Sequence, residues 1–260
     1  MNSNFSDAEY LVSIIMPSYN SALTIGESIE SVQSQTYEKW ELLITDDCSN
    51  DETVEIVRQY AEKDPRIKLF QNKENSGAAV SRNLSLSHST GEFVAFLDSD
   101  DLWLPNKLEK QIDFMLNEKK VDFTFTAYSL IDAFGRHSNK VVDLQGNNLS
   151  FTYKDMLRKK ATLGCSTVIF KKSAFKDYSM PLIRTGQDYA LWLKLLKSGK
   201  QVYLLNEVLT YYRILPYSIS RNKFKKCKRQ WQIYRYIEQL GFIDSLISFL
   251  FYAWRAIFRR

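Results

Sequence analysis

FVAFLDSDDLW, Phe93 to Trp103, is a run of five mostly apolar residues that ends in four residues of which three are carboxylates. An apolar run of this length bounded by a polar cluster predicts a strand covered on both faces. The carboxyl end of such a strand in an open α/β sheet is where a ligand binds. Asp98 and Asp100 are two residues apart, so a continuing extended chain projects both to one side. At about 6 Å, two ionised carboxylates repel by about 3 kcal/mol at an effective dielectric near 20. The pattern demands something positive between them.

Strand and helix signals alternate upstream. Leu11 to Met16 reads as a first strand stopped by Pro17, and Thr24 to Gln35 as a helix with Ile25, Ile29 and Val32 on one face and a Thr24/Glu27 capping box. WELLITDD is a second strand, and DETVEIVRQYAEKD a helix with Val54, Val57 and Tyr60 together. PRIKLFQN is a third strand, and GAAVSRNLSLSHSTG a helix between glycines that delivers the chain to Phe93. This order predicts a Rossmann-like, mainly parallel sheet flanked by helices. Its tips, Pro17–Asn20, Asp46–Ser49, Asn72–Gly77 and Asp98–Asp101, line one crevice. Downstream, NKLEKQIDFMLNEKK is helical, VDFTFTAYSLI a strand, and DAFGRHSNKVVDLQGNNLSF a hairpin or surface excursion. CSTVIFKKSAF predicts another strand, GQDYALWLKLLKSG a helix, and QVYLLNEVLTYYRI further strands.

At 260 residues and 45% hydrophobic, the chain is far from the disordered regime. Cys48, Cys165 and Cys227 form no CxxC pair and are odd in number, which fits a reducing compartment. The N-terminus shows no signal-peptide pattern, so a cytosolic protein is expected. Net charge is +5, but residues 221 to 260 carry ten Lys or Arg against Glu238 and Asp244, leaving about −3 on the rest. That basic, aromatic tail contains no nucleic-acid module, and its last segment is too apolar for a phosphate groove. On a helix of Phe242 to Arg259, the residues Asp244, Ser248, Arg255 and Arg259 fall within about 60° of one another. This stripe leaves no membrane-crossing span. The expectation is an amphipathic helix lying in a membrane surface behind a polybasic segment, or else packed on the catalytic domain or in a dimer.

With VSIIMPSYN, ESIESVQSQTYEKWELLITDDCSNDET, NSGAAVSRNLSLSHSTGEFVAFLDSDD and GQDYALWLKL in this order, the chain resembles the family 2 glycosyltransferases of GT-A fold over about residues 10 to 215. The resemblance implies transfer of a sugar from a nucleotide diphosphate to a hydroxyl. By family pattern Asp98 and Asp100 hold the metal, Mn²⁺ or Mg²⁺, against the diphosphate, with Asp98 and Ser99 also at the nucleotide sugar. Asp47 matches the residue that reads the nucleobase, favouring uridine, Arg82 a basic position facing the nucleotide, and Pro17 and Tyr19 the loop against which the base packs. Asp188 matches the catalytic base of an inverting enzyme. Gln187 stands where family members often carry Glu.

The resemblance further implies a GT-A catalytic domain over residues 1–220, with a nucleotide-binding half at 10–104 and an acceptor-binding half at 105–220, followed by a helical tail at 221–260. The expected activity is inverting, metal-dependent and non-processive. It moves a hexose, glucose or galactose, from a UDP-sugar in β-linkage to a lipid-linked acceptor such as a GlcNAc-diphosphate-lipid. The setting is O-antigen or related lipopolysaccharide synthesis, peripheral to the cytoplasmic face of a bacterial inner membrane, without nucleic acid. An inactive sugar-nucleotide-binding or assembly protein of the same fold is the alternative.

Several residues keep a plainer reading. Asp188 could serve the helix dipole alone, Arg82 a surface acid, and Asp101 either an ion or a helix entry. Asp46 reads as a strand-end partner for backbone. Trp103 and Trp192 fit core or acceptor-loop packing as well as sugar platforms. His88 and His137 read as surface. QIYRY, Gln232 to Tyr236, approximates a signature of processive synthases but ends in Tyr, and is taken as coincidence.

Overall fold

The computed structural model describes residues 10–144, 149–215 and 223–258. One ten-stranded mixed sheet organises the chain, in the order β3-β2-β1-β4-β9-β6-β10-β5, with β7 paired to β6 and β8 to β10. Its first half is parallel: β3 (Ile67–Gln71), β2 (Trp40–Asp46), β1 (Val12–Ser18) and β4 (Phe93–Phe96). β9 (Ile169–Lys171) runs antiparallel to both β4 and β6 (Phe123–Ile131), and β10 (Val202–Arg213) runs parallel to β6. The edge is β5 (Leu102–Trp103). β7 (His137–Val142) folds back on β6 as a hairpin, and β8 (Ser150–Phe151) is a short strand that the sequence reading did not separate. Residues 145–148 of the predicted excursion lie outside the described residues.

The covered-strand reading of Phe93–Leu97 is visible in its packing. Phe93, Ala95 and Leu97 join one core with Val12, Ile14, Met16, Leu42 and Ile44, beneath α1 (Ile25–Gln33), α2 (Thr53–Lys63) and α4 (Lys107–Asn117). Val94 and Phe96 join the opposite core with Ile15 and Leu43, under α3 (Ala78–Ser87), α5 (Tyr153–Leu157) and α6 (Gln187–Leu196). Side chains of a strand alternate between faces, so both faces of this strand are apolar because both are covered. Trp103 and Trp192 are core residues, which overturns the sugar-platform option. Trp192 packs on Phe96 and Phe123.

Three local expectations change. Pro17 does not stop β1, which continues to Ser18. Ile15 accepts a hydrogen bond from the Leu97 N–H, so the next main-chain donor facing β4 would be at residue 17, beyond the last β4 pair. A missing N–H costs nothing there. The Thr24/Glu27 capping box does not form: the Thr24 hydroxyl donates to the Ser99 carbonyl at 2.9 Å, and Glu27 pairs with Arg213. A true box forms at Thr152 and Asp155, at the start of α5. Asp101 opens no helix, because β5 follows it and α4 begins at Lys107.

Beyond residue 222 the chain is not detached. α7 (Lys223–Gln232) runs into a π-helical turn, Ile233–Ile237, and then α8 (Phe242–Phe258). Ile233 and Tyr234 belong to the α5/α6 core, the Tyr234 hydroxyl donates to the Leu157 carbonyl at 2.7 Å, and Tyr153 donates to Glu238 at 2.6 Å. Within QIYRY, Gln232 is exposed and the Arg235 guanidinium donates to the Leu240 carbonyl. α8 turns Ser245 and Ser248 inward and exposes Phe242, Ile243, Leu246, Ile247, Leu250, Phe251 and Trp254. The serine expected on the outward polar stripe, Ser248, is therefore buried, and the apolar face is the outer one. No described helix is long and apolar enough to cross a membrane.

Candidate active site

The crevice lies at the carboxyl ends of β1, β2 and β4. After β1, Pro17 is half-buried and Tyr19 largely open to solvent. Asn20 and Cys48 both take left-handed backbone, φ 48° and 61°, turning the chain sharply at the β1 and β2 tips. These tips are tied together: the Asn20 N–H donates to Ser49 Oγ and the Asn50 N–H to Asn20 Oδ1, both at 2.8 Å. Asp46 accepts from the Ser49 N–H and from the Ser18 and Ser49 hydroxyls, a strand-end role.

The Asp47 carboxylate organises the neighbouring loop. Oδ1 accepts from Asn72 Nδ2 at 2.7 Å and the Ser76 N–H at 2.8 Å, and Oδ2 from the Gly77 N–H at 2.7 Å. A carboxylate accepts about four hydrogen bonds, so Oδ2 keeps one free lone pair. Gly77, at φ 91°, brings its N–H to Asp47 in a conformation that few other residues adopt, and opens α3.

The positive partner demanded by the Asp98/Asp100 pair begins with Arg82. Its Nη2 donates to Asp98 Oδ1 at 2.5 Å, and the guanidinium is buried. This replaces the surface-acid alternative. Arg82 Nε and Nη1 are buried without a hydrogen-bond partner among the described residues, an expensive arrangement for a charged donor unless a ligand completes it. Among the described residues no side chain donates to the Asp100 carboxylate; burial, then the Asp98 charge, pushes its carboxyl up to about 7 despite the Arg213 and Arg82 charges.

Ser99 and Asp101 are committed to the protein. The Ser99 hydroxyl pairs with Ser21 Oγ at 2.8 Å, joining the β1 and β4 tips. Asp101 is 1% exposed, and accepts from Ser166 Oγ at 2.5 Å and the Arg213 N–H at 2.9 Å. It is neither a helix cap nor open to an ion. Ser166 Oγ also accepts from the Asp98 N–H at 3.1 Å. Arg213, 3% exposed, donates from Nε to the Asp100 carbonyl at 2.8 Å, from Nη1 to the Ala133 carbonyl at 3.2 Å and from Nη2 to Glu27 at 2.5 Å. One side chain thus holds the acidic loop, α1 and the β6–β7 hairpin.

Asp188 enters from the other half of the sheet, in the first turn of α6. Its charge acts on Arg82 and Cys165, which also feel Asp98. Burial, followed by the charges of Asp101, Asp98, Asp100 and Asp188, pushes the Tyr212 phenol up, so Tyr212 stands within reach of all four carboxylates. The halves are locked by Asn83 of α3, which exchanges two hydrogen bonds with the Met180 main chain at 2.9 and 2.7 Å. The structure therefore gathers Arg82, Asp98, Asp100 and Asp188, with Asp47 and Tyr19 on adjoining tips. Arg213, Ser166 and Tyr212 were not singled out in the sequence, where YYRI and CST carry no recognisable spacing.

Asp98 and Asp100 suit a hard divalent cation: both are oxygen donors, and among the described residues no side chain donates to Asp100. Among the described residues no cluster of three His, Cys, Asp or Glu can hold an ion alone.

Comparison with known proteins agrees with this architecture. The family model described as Glycosyl transferase family 2 matches residues 13–179. The chain is 45% identical over 250 residues to TuaG of Bacillus subtilis (strain 168), named as a teichuronic acid biosynthesis glycosyltransferase, covering 96% of this chain and 97% of the relative. It is 40% identical over 247 residues to WfgD of Escherichia coli, named as a UDP-Glc:alpha-D-GlcNAc-diphosphoundecaprenol beta-1,3-glucosyltransferase, covering 94% and 91%. Among solved structures, S. aureus TarS 1-349 in complex with UDP-GlcNAc superposes with a TM-score of 0.72 at 22% identity, over 95% of this chain and 73% of that one. At that identity the likeness establishes the GT-A fold.

Proposed function

The chain belongs to glycosyl transferase family 2, and on that premise we propose that it is an inverting, non-processive hexosyltransferase. It takes glucose or galactose from a UDP-sugar and forms a β-linkage to a hydroxyl of a lipid-linked acceptor such as a GlcNAc-diphosphate-lipid, in bacterial surface polysaccharide assembly. The catalytic unit is residues 1–220, with the nucleotide held mainly by 10–104 and the acceptor by 105–220. The observation that carries this reading is Arg82: a buried guanidinium with one bond to Asp98, two unpartnered nitrogens and Asp188 acting on it. That is a cradle for a leaving group's negative charge beside a carboxylate base. The similarity to WfgD supports the choice of donor and acceptor.

Asp188 takes the proton of the acceptor hydroxyl as its oxygen attacks the anomeric carbon. The bond from that carbon to the diphosphate oxygen breaks on the opposite face, which inverts the centre. Charge gathers on the departing UDP, where the Arg82 N–H groups receive it. A divalent ion, Mn²⁺ or Mg²⁺, held by Asp98 and Asp100 supplies Lewis-acid neutralisation of the diphosphate when bound. The free Oδ2 lone pair of Asp47 accepts the uracil imide proton, and the ring packs against Pro17 and Tyr19. Ser99 acts here as a strut between loops, its hydroxyl paired with Ser21 and its carbonyl with Thr24, so that its main-chain N–H is the group left for the sugar nucleotide.

The outward apolar face of α8 supports a peripheral position at the membrane surface, on the cytoplasmic side where a lipid-linked acceptor is presented. The test of the whole reading is incubation with a panel of UDP-sugars and lipid diphosphate acceptors, with and without Mn²⁺, followed by mass and linkage analysis. A β-linked hexose on the acceptor is expected. An α-linked product, or none with any donor, would refute it.

A further inference from the structure

The family motifs end before residue 222, yet the chain that follows reaches the catalytic base. A cavity of ≈ 140 Å³ is lined by Asp188 on one side and by Arg229, Gln230 and Ile233 on the other, with Met156, Ala161 and Leu163 among its apolar walls. Gly186 makes this approach possible. A Cβ built there would stand 3.0 Å from Arg229 Cδ, 3.1 Å from its Nε and 3.1 Å from Ile233 Cδ1, in backbone of φ 77°. The loop before Asp188 and the tail helix are therefore fitted to each other.

Two groups in this cavity lack what they need. Arg229 is half-buried and forms no ion pair among the described residues; Asp188, the one carboxylate of the lining, does not pair with it. Gln230 is 4% exposed and its Nε2 meets hydrogen-bond geometry with no partner among the described residues. The adjacent Tyr189 and Tyr234 hydroxyls donate to the Met156 and Leu157 carbonyls; burial pushes both phenols up and Gln230 acts on them in the lowering direction, without Nε2 reaching hydrogen-bond geometry to either oxygen. A cation without an ion pair and an amide donor without a partner, in a cavity that Lys159 and Thr162 also line, are complementary to an anion with several acceptor oxygens.

We propose that Arg229 and Gln230 bind the phosphate attached to the acceptor sugar whose hydroxyl Asp188 deprotonates, so that α7 supplies the phosphate-reading part of the acceptor site. This rests on the acceptor reading above and gives it a place. The chain order fits: Asp188 meets the sugar, Arg229 the phosphate, and α8, continuous with α7 through Ile233–Ile237, carries the exposed apolar stripe toward which a lipid would lead. Arg is suited to this task because its planar fork matches two phosphate oxygens at once.

The test uses the full chain with two soluble acceptors that differ only in the linker: GlcNAc joined to a short alkyl chain through a diphosphate, and GlcNAc joined to the same chain through oxygen. The quantity read is kcat/KM for the diphosphate acceptor divided by kcat/KM for the neutral one. Wild-type protein should favour the diphosphate acceptor by about ten- to a hundredfold, and R229Q should bring the ratio close to one. R229K restores part of it through charge, and Q230L lowers it by a smaller factor. Thermal melting of each variant checks folding, and the ratio is insensitive to a loss of active protein because both acceptors share it. An unchanged ratio in R229Q, with transfer to the diphosphate acceptor intact in the wild type, overturns this assignment while leaving the proposed reaction standing. A wild type that glycosylates the neutral acceptor equally well, or neither acceptor, overturns the lipid-diphosphate reading and the phosphate subsite with it. Transfer favoured instead by a carboxylate-bearing acceptor such as a uronoside, with loss of that preference in R229Q, overturns the phosphate and assigns the cavity to a sugar acid.

Discussion

Replacing Arg213 with methionine keeps the aliphatic stem and removes the guanidinium, isolating what that group does for the acidic loop. The main-chain bond from residue 213 to Asp101 persists, and three others are lost. Those to the Asp100 and Ala133 carbonyls, at 2.8 and 3.2 Å, are charge-assisted and leave their acceptors short of a partner. At about 1.5–3 kcal/mol each they dominate the loss. The ion pair with Glu27 adds little, since that side chain is 57% exposed; an exposed pair is worth about 0–1 kcal/mol. With partial relaxation the net destabilisation is about 3–5 kcal/mol, which for a chain of this size lowers the melting temperature by about 10 °C. The loop carrying Asp98 and Asp100 should also lose its fixed shape, so the metal concentration for half-maximal activity rises more than tenfold. R213K, which keeps the charge without the fork, falls between. Urea or thermal unfolding and a metal titration of initial rates report the two effects. An R213M protein that melts within about 2 °C of wild type and keeps its metal-activation curve would refute the assignment of Arg213 as the positioning residue of this loop.

Further expectations concern the base, the acid stability and α8. D188N keeps the size of the side chain and removes its basicity, so kcat should fall by about 10²–10⁴ while affinity for the UDP-sugar, measured by calorimetry, barely changes. A normal turnover number for D188N would unseat the base. Burial opposes the charge on Glu41, yet the Thr90 N–H, Lys68, and the Ser13 and Thr90 hydroxyls hold its carboxyl down at about 2. The folded pKa lies below the ordinary 4.5, so this stabilisation is complete above pH 4.5 and is lost as pH falls toward 2. It amounts to about 2–3 kcal/mol after allowing for the solvent-exposed Lys68. The stability gap between wild type and E41Q, from urea unfolding, should be widest above pH 5 and close toward pH 2; a gap independent of pH would count against the network. I243D combined with L250D places charge on the outer face of α8, and should move the protein off anionic vesicles in a flotation assay with no loss of melting temperature. Retention on vesicles would exclude that face as the contact.

The nucleotide-binding half was legible because its signals are local. β1 to β4 and the helices between them announce themselves through apolar period and strand-end polarity, and the pairing of Asp98 with something positive followed from Coulomb repulsion alone. The exceptions share a cause. Thr24 and Glu27 have capping-box spacing, but Ser99 and Arg213, 75 and 186 residues away, offered better partners. Tertiary contacts overrode a local preference worth about 1 kcal/mol. Asp101 was ambiguous between ion and helix for the same reason: its partners, Ser166 and Arg213, come from segments whose own patterns say nothing about it. Arg213 lies in a strand end that reads only as Tyr-Tyr-Arg-Ile, and its role exists only because β10 ends beside β6 and the acidic loop. Arg229 and Gln230 were hidden inside a basic run that read as a polybasic segment directed at a membrane surface.

The polarity of α8 is the remaining point at which local pattern and structure part, and it bears on where the enzyme works. α1, α2 and α4 follow the usual rule, with Ile29, Val57 and Ile112 against the sheet. α8 does the reverse: Ser245 and Ser248 are buried against the π-helical turn and α7, while Ile243 is 72% and Trp254 61% exposed. Small inward residues let α8 approach closely, and Trp231 fills the remaining space by edge contacts with Phe242 and Phe249. Covering an outward Leu, Ile or Phe side chain is worth about 1.5–3 kcal/mol in full, so a face carrying seven large apolar side chains forgoes many kcal/mol if it stays in water. Lys226 and Lys228 of α7 lie on the adjoining helix, and each would add about 1 kcal/mol near an anionic leaflet. A second protein copy would cover the apolar stripe but would be repelled by those charges, whereas an anionic bilayer answers both. On the proposed reading, the same surface would present the acceptor's lipid to α8 and its sugar to Asp188, so membrane attachment and acceptor delivery would be one binding event.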